Sequence, residues 1–193
     1  MKLLPFLALT AVTAVPAFAQ EARQLGTHEH GVGQLDIAFD GDQIAMELHA
    51  PGADIVGFEY EAASAEDRAA IDAAVATLAK PLGLFVLPEV AGCSVVNVSA
   101  GLESEEDHDD HDDEHAGEED GHDDHADEAG HTEFHAEYLL TCADPSAVTY
   151  ITFAYFDAFP NALEVEVQVI FDTGARSFEI ESDAPTLDLR SIF

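Results

Sequence analysis

Basic residues are scarce: 6 Lys and Arg stand against 40 Asp and Glu in 193 residues, a formal charge of −34. That imbalance excludes electrostatic binding to nucleic acid or to an anionic lipid surface and makes cations the natural partners. Cysteine is scarcer still. Two residues, Cys93 and Cys142, exclude a disulfide-framework miniprotein and a four-cysteine zinc module. Beyond the N-terminus no apolar run approaches the roughly 20 residues that a spanning helix needs, so no membrane span is expected in the mature chain. An HExxH motif, a G-x-S-x-G elbow and a phosphate loop are also lacking, and the expectation is a protein that is not an enzyme. Apolar material is not lacking. At 47% of the chain it suffices for a core and excludes wholesale disorder.

The first 19 residues set the expected compartment. Lys2, the apolar stretch Leu3 to Val15 and Ala17-Phe18-Ala19 follow the order of a secretory signal ending in a small-x-small cleavage pattern. A mature chain starting at Gln20 is therefore expected, exported to the periplasm of a Gram-negative cell. In that oxidising compartment a disulfide is the default for a lone cysteine pair. Two buried free thiols are the alternative.

Composition divides the mature chain into three. In residues 20–102, Leu35, Ile37 and Phe39 alternate with polar or small neighbours. The pattern resumes with Ile44, Met46 and Leu48 after Asp40-Gly41-Asp42. Period two on both sides of a glycine turn predicts a β-hairpin with one buried face, with His49 on the solvated one. Ser64 and Asp67 form a capping-box pattern. They precede an Ala-rich run carrying Ile71, Val75 and Leu78 on one stripe, which Lys80-Pro81 ends. Cys93 to Val98 reads as a strand.

Residues 103–130 are another material. Of the 26 residues from Glu103 to Glu128, 16 are acidic and 5 are His, and no aliphatic side chain exceeds Ala. Such a segment buries too little to fold alone and is expected to be a disordered loop. It contains a tandem copy, EEDHDDHDDEHAG followed by EEDGHDDHADEAG. In residues 131–193, Ala136 to Cys142, Thr149 to Phe153, Glu164 to Phe171 and Ser177 to Ile180 read as strands, with a turn or short helix at Asp157-Ala158-Phe159-Pro160. The fold class expected is α+β, an antiparallel sheet packed by one principal helix. The cysteines lie in the strands that bracket the acidic loop, and a bridge between neighbours is expected to close its base.

Histidine gives the acidity a purpose. Half of the 10 histidines fall in the loop, and solubility needs no imidazole. His108 and His111, His122 and His125 are spaced by three, and His115 follows four after His111. Imidazole suits Zn²⁺, Cu²⁺ and Ni²⁺, and carboxylates complete a tetrahedral set around zinc. A loop that loses chain entropy to gather ligands binds loosely. A tighter site needs ligands on folded elements. The candidates are His28 and His30 before the first strand, His49 on the hairpin, and His131 and His135 leading into a later strand, with Glu137 as a carboxylate partner. Two rivals remain open: a general nickel, copper or calcium buffer, and an exported scaffold whose acidic insert keeps it soluble.

Several blocks carry a family resemblance. They are His28-Glu29-His30-Gly31, Pro51-Gly52-Ala53-Asp54-Ile55-Val56-Gly57-Phe58-Glu59, Ala91-Gly92-Cys93, His131-Thr132-Glu133-Phe134-His135-Ala136-Glu137-Tyr138, Cys142, and Phe156-Asp157-Ala158-Phe159-Pro160. In this order, around a His- and acid-rich insert, the chain resembles the ZrgA-like zinc-uptake proteins of the Gram-negative periplasm. The resemblance implies two related halves, Zn²⁺ as the bound ion, and assistance to a zinc ABC transporter or its solute-binding protein. One departure is Tyr60, where the resemblance implies a histidine, so a ligand from that loop is expected to be missing.

Overall fold

The alternation around Asp40-Gly41-Asp42 becomes a hairpin in the computed structural model, which describes residues 30–104 and 131–190. Strands β1 (Val32–Asp40) and β2 (Gln43–Pro51) pair antiparallel, with Leu35 opposite Leu48 and Ile37 opposite Met46. These four are buried, and the odd-parity partners Glu47 and His49 of β2 face outward. A one-residue slip would reverse both sets, so the buried face fixes the register. Gly41 turns the chain at φ +61°.

After β2 come a short helical turn, α1 (Gly52–Ile55), and the principal helix, α2 (Ala65–Leu78). The capping box is present: Asp67 N donates to Ser64 Oγ at 2.9 Å and Ser64 N donates to Asp67 Oδ2 at 3.1 Å. Helix α2 buries Ala74 and Leu78, with Ile71 and Val75 packed against the core. Next are α3 (Pro81–Leu84), β3 (Phe85–Val86), β4 (Cys93–Ser104) and β5 (Thr132–Cys142). The chain ends with β6 (Tyr150–Phe153), α4 (Tyr155–Ala158), β7 (Glu164–Phe171), β8 (Gly174–Glu181) and β9 (Thr186–Asp188). The larger sheet has the order β4-β5-β2-β1-β7-β8, and the smaller β3-β6-β9. Between them lie Leu35, Leu48, Phe85, Phe134, Phe153 and Tyr155, each at most 1% exposed.

The architecture is the expected mixture of sheet and one principal helix, with two differences in detail, a parallel pair and the place of the disulfide. One pair, β1 with β7, is parallel; the long stretch of chain between them supplies the crossover that such a pair requires. As expected of the strands that carry the cysteines, those before and after the acidic insert are neighbours, β5 lying between β4 and β2 in the larger sheet. The disulfide Cys93–Cys142 is present, but not at the base of the insert. It joins the start of β4 to the end of β5, whereas the insert leaves from the opposite end, where Ser104 pairs with Thr132. The expectation failed because β4 runs on through Ser99-Ala100-Gly101-Leu102, well past Val98. No helix among the described residues is long and apolar enough to cross a membrane.

Candidate metal centres

The β2–β5 register builds the first constellation. His49 and His135 lie directly opposite each other, as do Glu47 and Glu137, on the outer face of the larger sheet. The two imidazoles stack with centroids 4.5 Å apart and planes 26° from parallel. Their Nε2 atoms converge on one carboxylate oxygen, Glu47 Oε1, at 3.1 Å for His49 and 3.3 Å for His135. The opposite ring nitrogens are held by two more carboxylates. His49 Nδ1 is 3.2 Å from Glu133 Oε2, and His135 Nδ1 is 3.3 Å from Glu103 Oε1. Ring nitrogens backed by carboxylates are the usual support of metal-ligating histidine.

That geometry sets an electrostatic problem. A neutral imidazole has one N–H, so a ring with a carboxylate at each nitrogen turns one lone pair toward negative charge. A proton or a metal ion resolves it. At His49 in the metal-free chain it is a proton: the Glu133 carboxylate chiefly, with Glu47 assisting against burial, raises His49 to about 9. Reciprocally, the hydrogen bond to His49, joined by His135, holds Glu47 below its ordinary value. The sign follows. A raised histidine stabilises the fold fully below about pH 6.5 and loses that contribution as pH rises through about 9. Because the His49 ring is one-third exposed, we expect about 1 kcal/mol rather than the full shift. Urea midpoints of chelator-treated protein and of His49→Gln should therefore differ more at pH 6 than at pH 9.5. An equal difference at both would refute the assignment.

The second constellation joins three separate segments. His30 stands just before β1, His131 just before β5, and Glu59 on the loop after α1. His30 Nε2 lies 3.1 Å and His131 Nδ1 2.8 Å from the same oxygen, Glu59 Oε2. Burial works to raise the Glu59 carboxyl, yet the two imidazoles outweigh it and leave it below its ordinary value. Its other oxygen, Oε1, is buried without a hydrogen bond. The imidazoles are open, His30 64% and His131 55% exposed, against 34% and 22% for His49 and His135.

In each group one atom from each of two histidines and one glutamate lies within 4.8 Å of the others. Ligands at zinc bond lengths of about 2.0–2.1 Å in a tetrahedron stand about 3.3 Å apart, so small shifts would bring either set onto an ion. Two imidazoles and one carboxylate are a donor set of the kind zinc prefers.

Four of the five candidate histidines outside the insert thus fall into two groups, His30 with His131 and His49 with His135. His28 and the insert histidines His108, His111, His115, His122 and His125 lie outside the described residues. Glu137 stands opposite Glu47 and, with Asp36, lines a shallow concavity beside the less exposed, inner group of Glu47, His49 and His135; it belongs to neither group. Glu47 and Glu59 take the carboxylate role, and sequence reasoning passed over both. Glu47 was findable, since it lies two residues before His49 on the same strand face. The Tyr60 loop brings Glu59 against His30 and His131, while Tyr60 itself stacks on Phe58 with centroids 4.7 Å apart.

The fold and its outer face define a β-sheet protein carrying two groups of metal-ligand type on one surface. The chain belongs to the ZrgA family: the family model described as ZrgA family zinc uptake protein matches residues 27–189. No curated protein matches the chain significantly.

Proposed function

We propose that this chain is a periplasmic, non-catalytic zinc carrier that captures Zn²⁺ and presents it for high-affinity uptake by a zinc ABC transporter or its solute-binding protein. One observation carries the reading: in each of two groups, two imidazole nitrogens and a carboxylate oxygen converge within 4.8 Å. Membership of a zinc uptake family supports it, as does a disulfide, which suits an exported protein. In both groups the ion is cargo. Three protein ligands leave a coordination position through which an acceptor can enter before the last donor lets go. The more exposed His30–Glu59–His131 group suits rapid exchange, and the less exposed Glu47–His49–His135 group, with its two supporting carboxylates, suits retention. The His-rich insert adds weak capacity.

Calorimetric titration of Zn²⁺ into the metal-free mature chain should resolve two tight sites above a weaker background. A chain with residues 105–129 replaced by a short Gly-Ser turn should keep the two and lose the background, because the β4–β5 ladder persists to Ser104 and Thr132. If all binding disappears with the insert, the reading is wrong and the protein is a buffer on a scaffold. Imidazole also accepts nickel and copper, so competition by those ions measures selectivity.

A further inference from the structure

Gly31, between His30 and β1, is held from both sides. Its N–H donates to Asp54 Oδ1 at 2.7 Å, and its carbonyl accepts from Leu163 N and Glu164 N, each at 2.8 Å. The residue sits at φ +91°, and a Cβ there would stand 3.1 Å from Leu163 Cδ1. An L side chain at this position would be strained as well as crowded. The peptide that presents His30 is therefore fixed in one conformation.

Asp54 is a costly means to that end. It is 2% exposed, and its second oxygen, Oδ2, is buried without a hydrogen bond. Burial of a carboxylate with so few partners is unfavourable. Its position explains its presence. Asp54 lies in α1, where Val56 N donates to Gly52 O at 2.9 Å and Gly57 N to Ala53 O at 3.1 Å. Gly57, at φ +84°, then releases the chain toward Phe58 and Glu59. From the other side Asn161 Nδ2 donates to Ala53 O at 3.2 Å. One helical turn thus grips the backbone of His30 and leads into Glu59.

We propose that Asp54 is the positioning residue of the His30–Glu59–His131 group: by accepting the Gly31 N–H it ties one ligand's backbone to the turn that carries the second, and so sets their spacing before an ion arrives. The inference rests on the reading of that group as a zinc site. Asp54 touches no ion; it acts through Gly31. A ligand set fixed in advance avoids an ordering cost on binding, and loosening such support lowers metal affinity about 10- to 100-fold.

The test uses the full mature chain carrying Glu47→Gln, which silences the other group, with a competing chelator to suppress weak binding by the insert. Asp54→Ala should lower zinc affinity about 10-fold or more and weaken the visible bands of bound cobalt(II). Asp54→Asn, whose amide oxygen accepts the same bond, should stay within about threefold of the parent. Asn161→Ala, an exposed change, should cost about threefold. In a Glu59→Gln background, Asp54→Ala should leave the other group's affinity unchanged. Parental affinity in a folded Asp54→Ala chain overturns the proposal, and so does an Asp54→Asn chain as weak as Asp54→Ala. Equal weakening of both groups also overturns it, as the mark of a general loss of structure. Should Asp54→Ala not fold, parental affinity in Asn161→Ala overturns it instead. If the Glu47→Gln chain shows no tight zinc that Glu59→Gln removes, the zinc-site reading itself has failed, and the two failures remain distinct.

Discussion

Glu47→Gln is expected to lower zinc affinity at the inner group by about 100-fold or more while leaving the His30–Glu59–His131 group intact. Both imidazoles of the inner group aim their Nε2 at the same Glu47 oxygen, so one substitution removes the shared anionic ligand from both. Glutamine keeps the size and an oxygen but loses the charge, which separates electrostatics from packing. Glu133→Gln should act more weakly, about tenfold, because Glu133 meets His49 through Nδ1 and stands outside the converging trio of Glu47, His49 and His135. Chelator competition on both variants, with Glu59→Gln as the reciprocal control, measures this. An unchanged pair of affinities in Glu47→Gln would remove the inner group from consideration. Thermal unfolding gives a second readout, since zinc at a hundred times its Kd stabilises by about 2.7 kcal/mol, and that gain should shrink when one site is lost.

Removing the disulfide should have the largest effect on the fold itself. The bridge spans a sequence separation of 49 residues, and the loop-entropy relation gives about 4 kcal/mol for such a closure. That is a large share of the roughly 5–15 kcal/mol by which a domain is stable. It bears most on β4, an edge strand with β5 as its single neighbour. Without the bridge, β4 should fray first at its Cys93 end, the end remote from Glu103 and the His135 it meets. Unfolding free energies of Cys93→Ala/Cys142→Ala and of the parent from urea titration should differ by that amount, with amide exchange accelerated first in β4. Coincident midpoints would show that the ladder alone holds the strand.

The strands whose two faces differ were legible in the sequence. Val165, Val167 and Val169 against Glu164, Glu166 and Gln168 give β7 its bounds, because one face meets the core and the other meets water. The ends of β4 and β5 were not. Ser99-Ala100-Gly101-Leu102 has no strong period, and β4 extends there because β5 offers it hydrogen bonds. The parallel pairing of β1 with β7 depends on how distant segments meet, and no local pattern encodes it. Among 40 acidic residues, composition could not single out Glu47 and Glu59. The histidines were visible because they are few; of their carboxylate partners, Glu47 could be read only from its strand position beside His49, and Glu59 was hidden because acids are many. Pairing His135 with His49 needed the β2–β5 register, which a sequence supplies only once the sheet order is known.

The Ser104–Thr132 pairing has one more consequence. The insert departs and returns at adjacent strand ends, one residue from Glu103 and one from His131. Whatever shape residues 105–130 take, their midpoint lies at most about 45 Å from those two residues, by contour length. An ion carried on that segment is confined to a volume corresponding to an effective concentration in the ~millimolar range at the folded groups. On the proposed function, transfer of an ion already held by the insert to a folded group is intramolecular, and its rate per loaded chain should not fall when the protein is diluted.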